Sequence, residues 1–191
     1  LEFAKIKKIK NFIFASSEWV YGSFKNNEIK SIISKIDIEK LDSSYAKTKA
    51  IMERIITSSE KLNYSILRFG IIYGKKTSNY SAVESIVEQV KNKSVITVQS
   101  KKTSRSFIHI DDIISAIICS LRLRGRYILD IQGPYPVNLE KLIKYSSNFI
   151  NKRVKIIEKN KKNSSIKLID SSLSNKILNF KPKISIEKGI S

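Results

Sequence analysis

Cysteine occurs once in this chain of 191 residues, at Cys119, which excludes an internal disulfide. Histidine also occurs once, at His109, and one histidine with one cysteine leaves no ligand set for zinc. No apolar run approaches the ~18–20 residues of a membrane span. The first ten residues are broken by Lys5, Lys7, Lys8 and Lys10, so they do not read as a signal peptide. Glycine is absent before Gly22, which excludes a glycine-rich phosphate turn from the opening stretch. A reducing, cytoplasmic location fits these absences. Acidic residues are scarce too: 17 Asp and Glu face 36 Lys and Arg, a net charge of +19.

That charge raises the question of a polyanionic partner. The bases are mostly lysines, and they are scattered. The densest zone, Glu140 to Lys167, holds nine Lys and Arg against two Glu. It lacks the interleaved aromatics of a single-strand-binding groove. An AT-rich genome would leave the same abundance of Ile, Asn, Lys and Ser without any nucleic-acid partner. A nucleic-acid-binding module is therefore the weakest reading. Its mark would be an affinity for random duplex that falls steeply with salt.

What is present is enough for a core: 41% of the residues are hydrophobic. Leu1 to Lys8 reads as the end of an amphipathic helix. Asn11 to Ala15 and Tyr64 to Ile72 read as parallel strands buried on both faces. Between them, Lys25 to Asp42 is a polar loop. Asp42 or Ser43 then caps a helix running to about Ser59, with Ala46, Ala50, Ile51 and Ile55 toward the core. Further helices are expected over 81–91, 113–123, 137–150 and 170–178, and a last one from Ile186. Short strands are expected at 95–98, 127–131 and 154–157. The helix over 113–123 is nearly all apolar and so expected to be buried, with Cys119 an inert thiol within it. The loop from Lys159 to Ser165 reads as mobile.

One stretch organises the rest. Tyr45 and Lys49 stand four residues apart. On a helix that spacing is about 400°, which puts both side chains on one face, a turn apart. A lysine ammonium beside a phenol favours the phenolate and makes a base usable near neutral pH. Upstream, the strand from Asn11 delivers Ser16 and Ser17 to its C-terminal end, where open α/β sheets place their sites. Ser17 can hydrogen-bond the oxygen from which Tyr45 takes a proton. Glu53, four residues beyond Lys49, is expected to pair with it for a few tenths of a kcal/mol.

Several runs in order carry a resemblance. They are Asn11 to Ser17 followed by Val20-Tyr21-Gly22, then Tyr45-Ala46-Lys47-Thr48-Lys49, then Leu67-Arg68-Phe69-Gly70-Ile71-Ile72-Tyr73-Gly74. Arg105-Ser106-Phe107-Ile108-His109-Ile110-Asp111-Asp112 and Asn179-Phe180-Lys181-Pro182 complete the series. In this order the chain resembles the extended short-chain dehydrogenase/reductases, in their NAD-dependent epimerase/dehydratase branch. The resemblance implies an α/β fold: the C-terminal part of a Rossmann-type doubly wound parallel sheet plus a small α/β substrate lobe. Residues 1–75 would belong to the NAD(P)-binding domain. Residues 76–191 would form mainly the substrate lobe, with about 105–125 returning to the sheet. The family's opening glycine-rich turn has no counterpart here, so a C-terminal fragment is expected. At roughly 30 residues per βαβ step, about 90–100 residues would be missing.

By the same resemblance, Ser17, Tyr45 and Lys49 are the catalytic residues. Ser16, Tyr45, Lys49 and Gly70 touch the cofactor, which is NAD or NADP with NAD favoured. Ser17, Glu18, Trp19 and Arg105 face the substrate, a sugar or nucleotide-sugar, with Arg105 reaching a diphosphate. No metal is implied. The full-length protein is expected to be a homodimer through the helix ending near Lys8 and the Tyr/Lys helix. Arg68 reads as a structural ion-pair partner and His109 as a structural hydrogen-bonder. Asp111 and Asp112 read as helix-capping acids.

Four departures qualify the match. Ile71 stands where nucleotide-sugar members commonly have Asn, which bears on the substrate. Lys75 replaces a usual Pro, and Thr48 a usual Ser. Dehydration needs an acid and a base beside the serine; Glu18 supplies one carboxylate, and Trp19 occupies the second place. The implied activity is thus an NAD(P)-dependent epimerase or reductase rather than a 4,6-dehydratase. A non-catalytic, dinucleotide-sensing relative is the alternative, which the joint presence of Ser17, Tyr45 and Lys49 opposes.

Overall fold

The computed structural model describes residues 1–25, 28–60, 62–75, 81–162 and 164–191. The first half contains α1 (Glu2–Ile6), β1 (Phe12–Ser17), β2 (Ile29–Lys30), α2 (Ser44–Thr57), β3 (Tyr64–Phe69), β4 (Ile71–Tyr73) and α3 (Ala82–Asn92). After it come β5 (Val95–Val98), β6 (Ser104–Arg105), β7 (Phe107–His109), α4 (Ile110–Ser120), β8 (Arg126–Ile131) and β9 (Val137–Asn138). The chain closes with α5 (Leu139–Ile150), β10 (Lys155–Glu158), β11 (Leu168–Ile169), α6 (Ser172–Leu178) and α7 (Ile186–Gly189).

Three parallel strands form the central sheet in the order β1-β3-β8, with Phe12 opposite Tyr64 and Tyr64 opposite Arg126. Strand β3 lies in the middle, and all six of its residues are buried. Strand β1 is an edge: only Ser16 and Ser17 are buried, against the expectation of burial on both faces. On one face Tyr64, Ile66 and Phe14 pack with Ile56 of α2. On the other, Leu67, Phe69, Leu129 and Ile131 pack with Ile113 and Ala116 of α4 and with Leu178 and Phe180.

The expected strand from Tyr64 to Ile72 is broken at Gly70. Beyond it, β4 leaves the central sheet and pairs with β7. A Cβ on Gly70 would lie 2.6 Å from Gln132 Oε1 and 2.7 Å from the Ser106 carbonyl, so only glycine fits. Gly133, just past β8, is packed in the same way against the Phe107 backbone. A second core, built on Tyr73, Val83, Val90, Ile96, Leu142 and Ile143, holds α3 and α5 to the small β5-β10 sheet.

Several helix faces differ from expectation. In α2 the inward residues are Ala46, Ala50, Glu53 and Ile56, and Ile51 and Ile55 are exposed. The inward stripe runs through small residues and one paired acid, so the larger isoleucines are left outside. Helix α4 is two-sided: Ile113 and Ala116 are buried, whereas Ile114, Ile118 and Leu121 beyond its end are exposed. Cys119 is free and half-buried rather than deep in a core. Val137 and Asn138 form β9, and Asn138 caps α5 by accepting from the Lys141 amide at 2.8 Å. The segments at 76–80, where the expected domain boundary falls, and at 163, within the expected mobile loop, lie outside the described residues.

Candidate active site

Strand β1 ends by presenting Ser16 and Ser17, and the chain turns at once into a 3-10 helix, Glu18–Tyr21. Ser17 caps that turn, its Oγ accepting from the Trp19 amide at 3.3 Å. The Tyr/Lys helix starts opposite. Ser43 caps α2 by accepting from the Ala46 amide, which fixes where the first turn begins and so where Tyr45 points. Lys49 reaches β1, its Nζ donating to the Ala15 carbonyl at 2.8 Å. The same ammonium lies 5.6 Å from the Tyr45 ring centre and 5.0 Å from that of Phe14. The Tyr45 ring meets Trp19 edge-on, with centroids 6.1 Å apart.

These groups share one cavity of about 700 Å³, whose wall includes Ser16, Ser17, Trp19, Tyr45, Lys49 and Gly70. Lys49 spends one of its three donors on Ala15, and the Ser17 hydroxyl acts only as an acceptor among the described residues. A phenol, a hydroxyl with an unspent donor and a cation with donors to spare therefore stand around one space. Ser16 lies on the same wall, but its hydroxyl is turned away and donates to Glu53 Oε1 at 2.5 Å. Gly70 contributes bare backbone to the wall.

Glu18 and Arg105 are placed differently. Glu18 is only 1% exposed and is not on the cavity wall. Burial pushes its carboxyl up to about 7 against the opposing pull of Lys167 and Arg105. Arg105 is turned onto the chain itself: its Nη1 donates to the carbonyls of Ser104 and Ser165 at 2.7 and 2.6 Å, and its Nη2 to Ser165 Oγ at 2.9 Å.

Behind the cavity wall lies a buried polar chain. Glu53 does not pair with Lys49; it takes Arg68 instead, with Nη2 2.7 Å from Oε2. Arg68 Nη1 donates to the Tyr21 hydroxyl oxygen at 2.9 Å, and Tyr21 donates to Asp130 at 2.7 Å. Burial opposes charge on Arg68, but Glu53 more than offsets it and the guanidinium stays protonated. One cation serves two carboxyls, so Asp130 is left without a full counter-charge. Burial lifts its carboxyl to about 7. Tyr21 and Asp130 carry no helical or motif signal that sets them together; they meet only because β1 and β8 flank β3.

His109 accepts from the Asp111 amide through Nδ1 at 3.2 Å and stacks edge-on against Tyr73. Asp112 is buried and accepts from the amides of Lys183 and Ile184. Both serve structure. Among the described residues no acidic, histidine or cysteine cluster could hold a metal, and no helix is long and apolar enough to cross a membrane.

The comparisons with known proteins bear on this geometry directly. Residues 1–127 match the model of the NAD dependent epimerase/dehydratase family. The chain is 25% identical over 197 aligned residues to UDP-glucuronate 4-epimerase of Thermodesulfobacterium geofontis, covering 100% of this chain and 60% of that protein. It is 32% identical over 133 residues to dTDP-D-glucose 4,6-dehydratase of Dictyostelium discoideum, covering 64% of this chain and 31% of that protein. The fold of UDP-glucuronic acid 4-epimerase from Bacillus cereus, solved with UDP-glucuronic acid and NAD, superposes with a TM-score of 0.83 at 20% identity, over 99% of this chain and 62% of that one. The fold is thus Rossmann-type α/β, and the chain spans about 60% or less of the length of these curated relatives. With the family model matching two thirds of the chain, including β1, β3, the serine turn and the Tyr/Lys helix, the chain belongs to the NAD dependent epimerase/dehydratase family.

Proposed function

We propose that the full-length protein is an NAD-dependent epimerase acting on a nucleotide-sugar through Ser17, Tyr45 and Lys49. The observation that carries this reading is the meeting of these three side chains at one cavity of about 700 Å³. Tyr45 takes the proton from a sugar hydroxyl. Ser17 donates to the same oxygen and holds it against the phenol. Lys49 keeps a positive charge beside the ring and offers its unused donors to the ribose next to the nicotinamide. Lys49, with Ser16 and Gly70 on the same wall, would hold the nicotinamide end of NAD, which when bound would supply hydride acceptance and donation at the sugar carbon. The tool kit of this chain is complete for proton transfer and for the ribose end of the cofactor.

Epimerisation is favoured over dehydration by the placement of Glu18 and Trp19. Glu18 is buried off the cavity wall, so it is not set to protonate a leaving hydroxyl. Trp19 stands on the wall, and its indole N–H is neither an acid nor a base near neutral pH. The comparisons agree in kind, since the relatives named above act on UDP- or dTDP-sugars. The exposed apolar residues of α1 and α2 fit a homodimer of the whole protein.

The test is to incubate full-length protein with NAD and either UDP-glucuronate or UDP-glucose and to follow the sugar C4 configuration by NMR. Interconversion of 4-epimers is the expected result. Tyr45→Phe should lower turnover by at least two orders of magnitude, because general base catalysis contributes about 10²–10⁴-fold. Near-wild-type turnover in that variant would remove Tyr45 from the mechanism.

A further inference from the structure

Lys167 belongs to no motif and sits just before β11, yet it points at the reaction centre's neighbour. The strap that carries it is pinned at both ends. The Ser104 amide donates to the Ser165 carbonyl at 3.0 Å, the Lys167 amide to the Ser104 carbonyl at 3.2 Å, and the Asp170 amide to the Lys30 carbonyl at 2.8 Å. The Lys167 ammonium lies 5.7 Å from the ring centres of both Trp19 and Phe24. Trp19 lines the cavity with Ser17 and Tyr45 and meets the Tyr45 ring edge-on.

Among the described residues the Lys167 ammonium has no hydrogen-bond acceptor and no carboxylate within ion-pair distance, although it is half-buried. Two other cations stand close, Arg105 and Lys30. Arg105 has three of its donors committed to Ser104 and Ser165, and Lys30 donates to the carbonyls of Tyr21 and Ser23. Among the described residues one carboxyl, Glu18, faces both Lys167 and Arg105, and its Oε1 has no hydrogen-bond partner there. Glu18 thus stands against both Lys167 and Arg105, while Lys30 has a carboxylate of its own, Glu28, at 3.8 Å. An ammonium held by two aromatic faces with its donors unspent is costly unless an anion completes it.

Resting on the nucleotide-sugar reading above, we propose that Lys167 is a substrate-specificity residue whose ammonium receives an anionic oxygen group of the substrate beside Trp19. Two groups offer that chemistry, a phosphate of the nucleotide and a carboxylate on the sugar. Either would accept the free N–H donors of Lys167 and balance the surplus positive charge. Arg105, tied to Ser165, is the less available reader. Lys167 touches no reacting atom, so it sets affinity and not the chemical step.

The experiment uses the full-length protein with NAD, as wild type, Lys167→Met, Lys167→Gln and Lys167→Arg. Binding of UDP, UDP-glucose and UDP-glucuronate is measured by calorimetry, and kcat and KM are measured for whichever sugar turns over. The neutral variants should raise Kd at least tenfold and raise KM with kcat little changed, and Lys167→Arg should restore most of the affinity. A loss shared by all three ligands identifies the phosphate; a loss confined to UDP-glucuronate identifies the carboxylate. Wild-type Kd values in a folded Met or Gln variant would overturn the inference alone. A wild-type protein that binds none of the three ligands would overturn the nucleotide-sugar reading and this inference with it.

Discussion

Arg68 of β3 and Glu53 of α2 face each other through a buried fork: Nη2 stands 2.7 Å from Oε2, and Nε stands 3.1 and 3.2 Å from the two carboxylate oxygens. Both side chains are nearly inaccessible, at 4% and 6%. The pair fixes the rotation of α2 about its axis relative to the sheet. Lys49 and Tyr45 lie on that same helix one and two turns earlier, so their aim depends on the fork.

Removal of Glu53 should therefore be severe. Glu53→Ala strands the Arg68 charge in the interior and leaves the Ser16 hydroxyl without its acceptor. The expected cost is about 3–5 kcal/mol, the range for breaking one side of a buried ion pair. Urea unfolding of the full-length protein measures it. A loss under 1 kcal/mol would mean that the fork contributes little to the native state.

Asp130 predicts a pH dependence. Its carboxyl is fully buried, and burial raises it from an ordinary 3.8 to about 7. Between those values the folded state holds a proton that the unfolded state releases, so stability falls as pH rises and is lowest above about 7. Asp130→Asn keeps an acceptor for Tyr21 without the ionisation. Urea midpoints at pH 5 and pH 8 should differ less in the variant than in wild type. Glu18, raised in the same direction, accounts for the slope that remains. An unchanged slope would show that Asp130 is not the titrating group.

The apolar residues outside α1 and α2 predict the assembly of the whole protein. Phe3 and Ile6 are 67% and 73% exposed, and Ile51 and Ile55 are 46% and 45% exposed. A second copy that covers this surface would bury them. Light scattering of full-length protein at micromolar concentration should give a dimer, and the double variant Ile51→Glu, Ile55→Glu a monomer. A wild-type monomer would contradict the prediction.

The reach of the sequence can be judged residue by residue. The Tyr45–Lys49 face and the Ser43 cap follow from local spacing, and both are legible without a fold. Partner choice is not local. Glu53 reads as a mate for Lys49 four residues back, yet Arg68 on the neighbouring strand offers two parallel donors in a dry interior, and tertiary geometry wins. The run from Tyr64 to Ile72 reads as one strand because nothing in its hydrophobicity marks Gly70; the break comes from Gln132 and Ser106, which arrive from far along the chain. Ile51, Ile55, Ile114 and Ile118 read as core because apolar character does not tell which layer covers a helix. Lys167 has no sequence signature at all. Its place beside Trp19 arises from a strap joined to a strand some sixty residues earlier.

The glycine packing at the ends of β3 and β8 has a mechanical meaning. At Gly70 the chain passes from the central sheet into the β4–β7 pair, and at Gly133 it leaves the central sheet beside β7. Each passage is filled by the other's strand: Ser106 and Gln132 crowd Gly70, and Phe107 crowds Gly133. The two layers are thereby joined like interlocking teeth with no spare depth. The cavity that holds Ser17, Tyr45 and Lys49 opens along this joint, since Phe69, Gly70, Ile71 and Ile72 form part of its wall. That stretch of the wall is thus fixed by a joint with no room for an added carbon, and a Cβ at Gly70 would act as a shim that forces the two layers apart beside the cavity.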